Sequence, residues 1–413
     1  MPAPSSPPGA ARVPAAVYVL GLSVFALGTS EFMLSGLLPE VAGDLGVSIP
    51  SAGLLISAFA IGMVIGAPLL AGATLRLPRR TTLTGLLVVF GIGHVIAALS
   101  DSYAVLFATR VLSALACAGF WAVGAAVAIS MVPTGARAKA MAIMIGGLSV
   151  ANVVGVPGGA VLGQLWGWRS AFWAVAVMTA VAIAGVLALV PRVPVPAEPP
   201  RLREELRIYA NPQVWLVLVT IALFAASTFS FFSYLAPLLT DVSGLSESWV
   251  PMVLGLFGVG ALIGTVIGGR IADRNLFATM YAGLASSAVV LALVALLAEY
   301  PVAVVVLTGL LGVTAFMTAP ALNARMFNVA HEAQTLAGAT NTSSFNIGNT
   351  IGPWLGGLVI SAGLGYPATA WTGAALAAAG VAGVALQVRH GSGRVVARSS
   401  AQAVAAPSSS SSV

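Results

Sequence analysis

Three ionisable side chains lie inside otherwise apolar stretches of this 413-residue chain. Glu31 stands in VYVLGLSVFALGTSEFMLSGLLP, His94 in GIGHVIAAL and Arg110 in LFATRVL. An ionised group in the middle of a bilayer costs on the order of 3 kcal/mol, so an acid placed there calls for a function. A carboxyl group can carry a proton, whereas arginine keeps its own and acts as an electrostatic modulator. Desolvation favours the neutral acid and a neighbouring guanidinium favours the carboxylate, so altering their separation alters the hold on the proton. The bland alternative is a permanent ion pair that locks the helices together. His94 is either a proton relay or a simple hydrogen-bond partner. Three scattered histidines and the single Cys117 lack metal-ligand spacing.

A second group of residues suits a ligand. Phe229, Phe232 and Tyr234 lie in one apolar stretch, and Asn341, Phe345 and Asn349 share a helical face in another, with Asn152 in a stretch of the first half. An apolar cavity with a few amides fits a neutral, moderately polar aromatic molecule. The alternative is lipid-facing aromatics and amide bonds between helices. No Walker sequence, phosphate loop or nucleophile elbow is present, so neither ATP-driven transport nor an enzyme finds support.

These residues need long apolar helices to position them, and the composition provides them. The chain is 59% hydrophobic and 7% charged, against about 25% charged in soluble domains. Apolar blocks of about 20 residues predict an all-α polytopic membrane protein, since lipid requires backbone groups to be satisfied within each helix. Twelve spans are expected near 17–39, 51–73, 82–100, 103–129, 138–162, 170–190, 214–240, 250–268, 276–298, 302–322, 337–360 and 367–388. They divide the chain into a disordered tail (1–16), a six-helix bundle (17–190), a linker with a surface helix (191–213), a second six-helix bundle (214–388) and a disordered tail (389–413). With the N-terminus inside, sixteen of the eighteen cations fall in cytoplasmic segments; Arg169 lies outside and Arg110 within a span. That asymmetry predicts both termini in the cytoplasm. It also explains the net charge of +6 without nucleic acid.

The halves repeat. Gly72 and Gly269, and Asn152-Val-Val-Gly155 and Asn349-Thr-Ile-Gly352, are 197 residues apart; Leu37-Leu-Pro39 and Leu235-Ala-Pro237 are 198 apart. Parallel six-span repeats place a substrate site at their interface near the midplane. Span five carries glycines around a proline, Gly155-Val-Pro157-Gly158-Gly159, and span eleven carries Gly352-Pro353-Trp-Leu-Gly356. The loop after span eight reads Gly269-Arg-Ile-Ala-Asp273-Arg274, whereas its partner Gly72-Ala-Thr-Leu-Arg76 has arginine in place of the acid. With Arg110 in span four, these motifs resemble the major facilitator superfamily and its twelve-span drug:proton antiporters. The blocks GTSEFMLSGLLPEVAGDLGVS and GVPGGAVLGQLWGWRSAFWAV are similar to actinobacterial chloramphenicol-resistance exporters. The resemblance implies alternating access in a bacterial inner membrane, a proton as coupling ion with no cofactor, and a neutral drug, above all chloramphenicol, as cargo. It also implies a lipid-embedded monomer, and a hinge-like seam at the span-five and span-eleven motifs. A sugar or metabolite exporter, or a passive facilitator, is the alternative.

Overall fold

The computed structural model describes residues 13–74, 77–192, 206–330 and 334–405, and all regular structure within them is helical. The first half contains α1 (Ala15–Phe32), α2 (Leu38–Leu45), α3 (Ile49–Ala73), α4 (Arg79–Leu99), α5 (Tyr103–Ser130), α6 (Arg137–Val150), α7 (Val156–Trp166) and α8 (Arg169–Leu189). The second contains α9 (Pro212–Phe232), α10 (Val250–Ala272), α11 (Leu276–Leu296), α12 (Pro301–Val329), α13 (Gln334–Ser361) and α14 (Pro367–Ala405).

Eleven helical stretches among the described residues are long and apolar enough to cross a membrane. The remaining expected span is α13, which at 28 residues is long enough. Asn341, Thr342, Asn346, Asn349 and Thr350 make it the least apolar of the twelve. It packs along α3 and α9, and two of its amides, Asn346 and Asn349, are buried.

Proline explains where the spans break. Pro39 has no N–H to give the carbonyl of Ser35, so α1 tightens into a 3-10 turn over Met33–Gly36 before α2 starts. Pro237 does the same to Ser233 in the second half, and α9 ends at Phe232. Pro157 coincides with a π-turn at Ala151–Gly155 between α6 and α7. Pro353, by contrast, is absorbed within continuous α13.

The structure bears on two expectations about the ends of the bundles. The tail expected to be disordered from residue 389 begins as helix, because α14 continues to Ala405. Its Ala, Arg and Gln favour a helix and no proline interrupts it before Pro407. The surface helix expected in the linker falls mostly on residues 193–205, outside the described residues; its end, Leu206–Ala210, is a 3-10 turn.

Two apolar cores form, one drawn mainly from α1–α8 and one mainly from α9–α14. Tyr234 belongs to the first core, and Phe32, Val156 and Ala160 to the second, so each half plugs into the other. We call the end of the bundle bearing residues 46–48, 167–168 and 244–249 distal, and the end bearing Val13 and residues 131–136 terminal. Contacts between halves crowd the distal part. Gly36 faces Leu254, Gly53 faces the Tyr234 ring, Gly255 faces Pro157, and Gly357 lies against Pro50. The Gln164 amide donates to the Glu247 carbonyl (2.6 Å), and the Ser57 hydroxyl to the Thr350 carbonyl (2.9 Å). Near mid-height Gly258 still touches the Asn152 backbone, whereas Gly146, further toward the terminal end, has open space around it. The halves close distally and part toward the termini.

Candidate coupling and binding site

Glu31 lies one residue before the end of α1, where the span breaks, and is buried with 8% of its surface exposed. Arg110, on α5, is 1% exposed. The two meet, but not as an ion pair. Arg110 Nη1 donates to the Ser30 carbonyl and to Ser30 Oγ, both at 2.9 Å. Its Nη2 donates to the backbone carbonyl of Glu31 (3.4 Å) and its Nε to the carbonyl of Leu55 on α3 (3.5 Å). The guanidinium carbon also stands 4.3 Å from the centre of the Phe59 ring, a cation–π contact. The terminal carbonyls of a helix need donors, and Arg110 supplies them at the broken end of α1. Among the described residues the Glu31 carboxylate itself has no hydrogen bond and no ion pair.

His94, on α4, is 1% exposed and joins the same network. Its Nδ1 donates to the Phe90 carbonyl (2.8 Å), and its Nε2 lies 2.6 Å from Ser30 Oγ. Because Arg110 already donates to that oxygen, the Ser30 hydroxyl hydrogen is free to point at Nε2. Ser30, fully buried, thus links all three helices. The sequence reading missed it: a serine in a helix ordinarily bonds its own preceding turn, and nothing in the spacing shows that this one does not.

The expected aromatic residues gather, with one exception. Phe229, Phe232 and Phe345 belong to a closed circuit with Phe224, Phe257 and Phe316, neighbouring centroids being 4.3 to 6.2 Å apart. Phe32, beside Glu31, stacks on Phe229 at 5.3 Å and joins this circuit to the acid. Tyr234 is the exception. Its hydroxyl donates to the Pro353 carbonyl (2.7 Å) and its ring fills the distal seam, fully buried. A phenol in a membrane seeks an acceptor, and here the seam provides one.

The amides divide. Asn341 Nδ2 donates to Asn323 Oδ1 on α12 (2.7 Å), and Asn152 Nδ2 to the Leu148 carbonyl of its own helix (3.2 Å). Asn349 is 3% exposed and its Oδ1 has no hydrogen-bond partner among the described residues, as is true of Oδ1 in Asn341 and Asn346. The motif glycines line helix crossings. Gly155 meets Thr29 and Gly159 meets Met33; Gly352 meets the Ala226 backbone and Gly356 the Tyr234 ring. Gly72 lies near the end of α3, while Gly269, Asp273 and Arg274 close α10; Asp273 and Arg274 are exposed and make no ion pair among the described residues. Arg76 lies outside the described residues.

The distal rim carries its own charges. Arg169 pairs with Asp44 and with Asp101, and its guanidinium stacks over Trp168 at 4.3 Å. Hydrogen bonds from Arg169 and Trp168 hold the Asp44 carboxyl below its usual range. Glu40 behaves oppositely. Burial, and then the charge of Glu247 across the seam, push its carboxyl up despite a bond to its own backbone, and its Oε2 has no hydrogen-bond partner among the described residues.

A two-part helical bundle, pinched at one end around a buried acid and an aromatic circuit, is the architecture of a membrane transporter. The chain belongs to the Major Facilitator Superfamily, whose profile matches residues 20–345. It is 40% identical over 357 residues to a chloramphenicol resistance protein of Streptomyces lividans, covering 86% of this chain and 90% of that one. It is 36% identical to the inner membrane transport protein YdhP of Escherichia coli K12, covering 84% and 89%. Among solved structures, the nucleoside transporter NupG superposes with a TM-score of 0.74 at 13% identity, covering 91% of this chain and 98% of that one. A bacterial homologue of the lysosomal transporter Spinster, in an inward-facing and unoccupied conformation, superposes with a TM-score of 0.69 at 20% identity, covering 92% and 96%. Members of this superfamily are transporters, not enzymes, and bind small molecules.

Proposed function

We propose that the chain exports a small neutral drug, chloramphenicol foremost, in exchange for protons across a bacterial plasma membrane. The arginine asymmetry supports a cytoplasmic terminal end, and with it an inward-facing reading of the distally closed bundle. The observation that carries the reading is Glu31, a buried carboxyl group with no ion-pair partner, touching through its neighbour Phe32 the aromatic circuit that would hold the drug.

The mechanism follows from competition for one site. Drug entering from the cytoplasm meets Phe229, Phe232 and Phe345, with the free Asn349 oxygen one turn from Phe345. Rocking of the halves about the span-five and span-eleven seam then opens the distal end and exposes Glu31 to external protons. Arg110, already at the end of α1, is close enough to exchange a backbone carbonyl for the carboxylate, and so to tie proton occupancy to helix position. An inward proton gains about 2.3 kcal/mol per 100 mV, enough to drive a neutral drug outward by more than tenfold. The relative from Streptomyces lividans supports the choice of drug.

Glu31→Gln keeps shape and volume but cannot lose a proton. Expressed in a chloramphenicol-sensitive host, the wild type should raise tolerance, and an uncoupler should cancel the effect. The variant should give normal protein levels and no tolerance. Undiminished uncoupler-sensitive export by Glu31→Gln would refute proton coupling, and unchanged host tolerance with wild type would refute the drug.

A further inference from the structure

Among the described residues, Ser30 is the one side chain hydrogen-bonded to both Arg110 and His94, at 2.9 and 2.6 Å, and all three are at most 1% exposed. The donors and acceptors fit in only one order. His94 Nδ1 is committed to the Phe90 carbonyl, which leaves Nε2 to accept. Arg110 offers Nη1 to Ser30 Oγ, and the hydroxyl hydrogen passes on to Nε2. Arginine has five N–H groups, and four are used here, two on Ser30 and one each on the carbonyls of Glu31 and Leu55. None is directed at the Glu31 carboxylate, one residue along. A guanidinium beside a buried acid would ordinarily take it as a bidentate partner.

We propose that Ser30 is a positioning residue of the coupling site: its hydroxyl, anchored by His94, draws the Arg110 guanidinium onto the backbone end of α1 and keeps it off the Glu31 carboxyl group in the distally closed form. This rests on the proton-coupling reading of Glu31. Without the anchor, a second N–H of Arg110 is released, enough for a bidentate pair, and the guanidinium takes the acid in both forms of the transporter. The acid then no longer alternates between two environments, and exchange slows. The drug site keeps its rings, since the Ser30 hydroxyl bonds to His94 and Arg110, which are not members of the aromatic circuit. His94 on this account serves as the acceptor that fixes the serine rotamer, which gives a buried histidine a task without requiring it to carry protons.

The test is chloramphenicol–proton exchange by the purified chain in liposomes, comparing wild type, Ser30→Ala and Glu31→Gln. Ser30→Ala should lower turnover about tenfold while leaving the KM for drug within twofold, and its detergent melting curve should show it folded. Ser30→Cys, which keeps the volume but accepts weakly, is the second variant and should fall between wild type and Ser30→Ala. Wild-type turnover in Ser30→Ala beside an inactive Glu31→Gln would overturn the positioning role and leave proton coupling standing. Equal losses in drug affinity and turnover would also overturn it, as the mark of a merely structural residue. Full exchange by Glu31→Gln would remove both readings together.

Discussion

At the scale of single residues, Arg110 departs most from what its type suggests. A lone arginine in a span next to an acid is expected to neutralise it. Instead it caps a broken helix, spreading its donors over two residues of α1 and one of α3. Lysine has the charge but only one nitrogen, and cannot reach these acceptors together. Arg110→Lys should therefore lose at least two buried charge-assisted bonds, worth about 1.5–3 kcal/mol each. The expected outcome is export reduced by more than tenfold together with a lower melting temperature, measured on the purified protein. Glu31, Arg110 and His94 were legible because charge inside an apolar run is conspicuous. Ser30 and Phe32 were not, since a serine and a phenylalanine in a membrane helix are ordinary until their neighbours are known.

At the scale of elements, the glycine-rich motifs separate into close crossings and open positions. Gly147 on α6 faces the backbone carbonyl of Gly21 on α1, where any Cβ would meet rigid main chain. Gly158, inside the span-five motif, has nothing within 4 Å. Gly147→Val should therefore push α1 from α6 and lower stability by about 1–3 kcal/mol or more, as overpacking does, whereas Gly158→Ala should leave melting and export unchanged. Thermal unfolding in detergent distinguishes the two. Residue type alone ranks both glycines alike, because spacing does not show which side of a helix a neighbour occupies. Pro157 and Pro353 teach the same lesson. Of these repeat-related prolines, one follows a π-turn at the start of α7 and the other lies within an uninterrupted helix.

At the scale of the whole molecule, closing the distal end brings Glu40 of the first half toward Glu247 of the second, with no cation among the groups acting on Glu40. Its carboxyl therefore holds a proton more tightly when the seam is shut than when it is open to water. Protonation favours closure, so that preference is present at low pH and is lost as pH rises through a value above 4.5. Spin labels at Ser102 and Tyr300, exposed on the distal rims of the two halves, should report a distance distribution that widens toward alkaline pH. In Glu40→Gln the closed distance should persist across the range. A distribution independent of pH in the wild type would show that Glu40 does not bias the gate.

Much of this architecture follows from one dimension of information. A membrane demands that each crossing segment be helical and apolar, so span positions, the repeat and the isolated acid can be read from residue order alone. Tertiary structure decided what lies sideways. It put Tyr234 in the seam, Phe257 and Phe316 in the aromatic circuit, and Arg110 on a backbone instead of a carboxylate. The physical reason is that hydropathy acts along a helix and is additive, whereas a hydrogen bond or ring contact depends on which faces of separate helices meet.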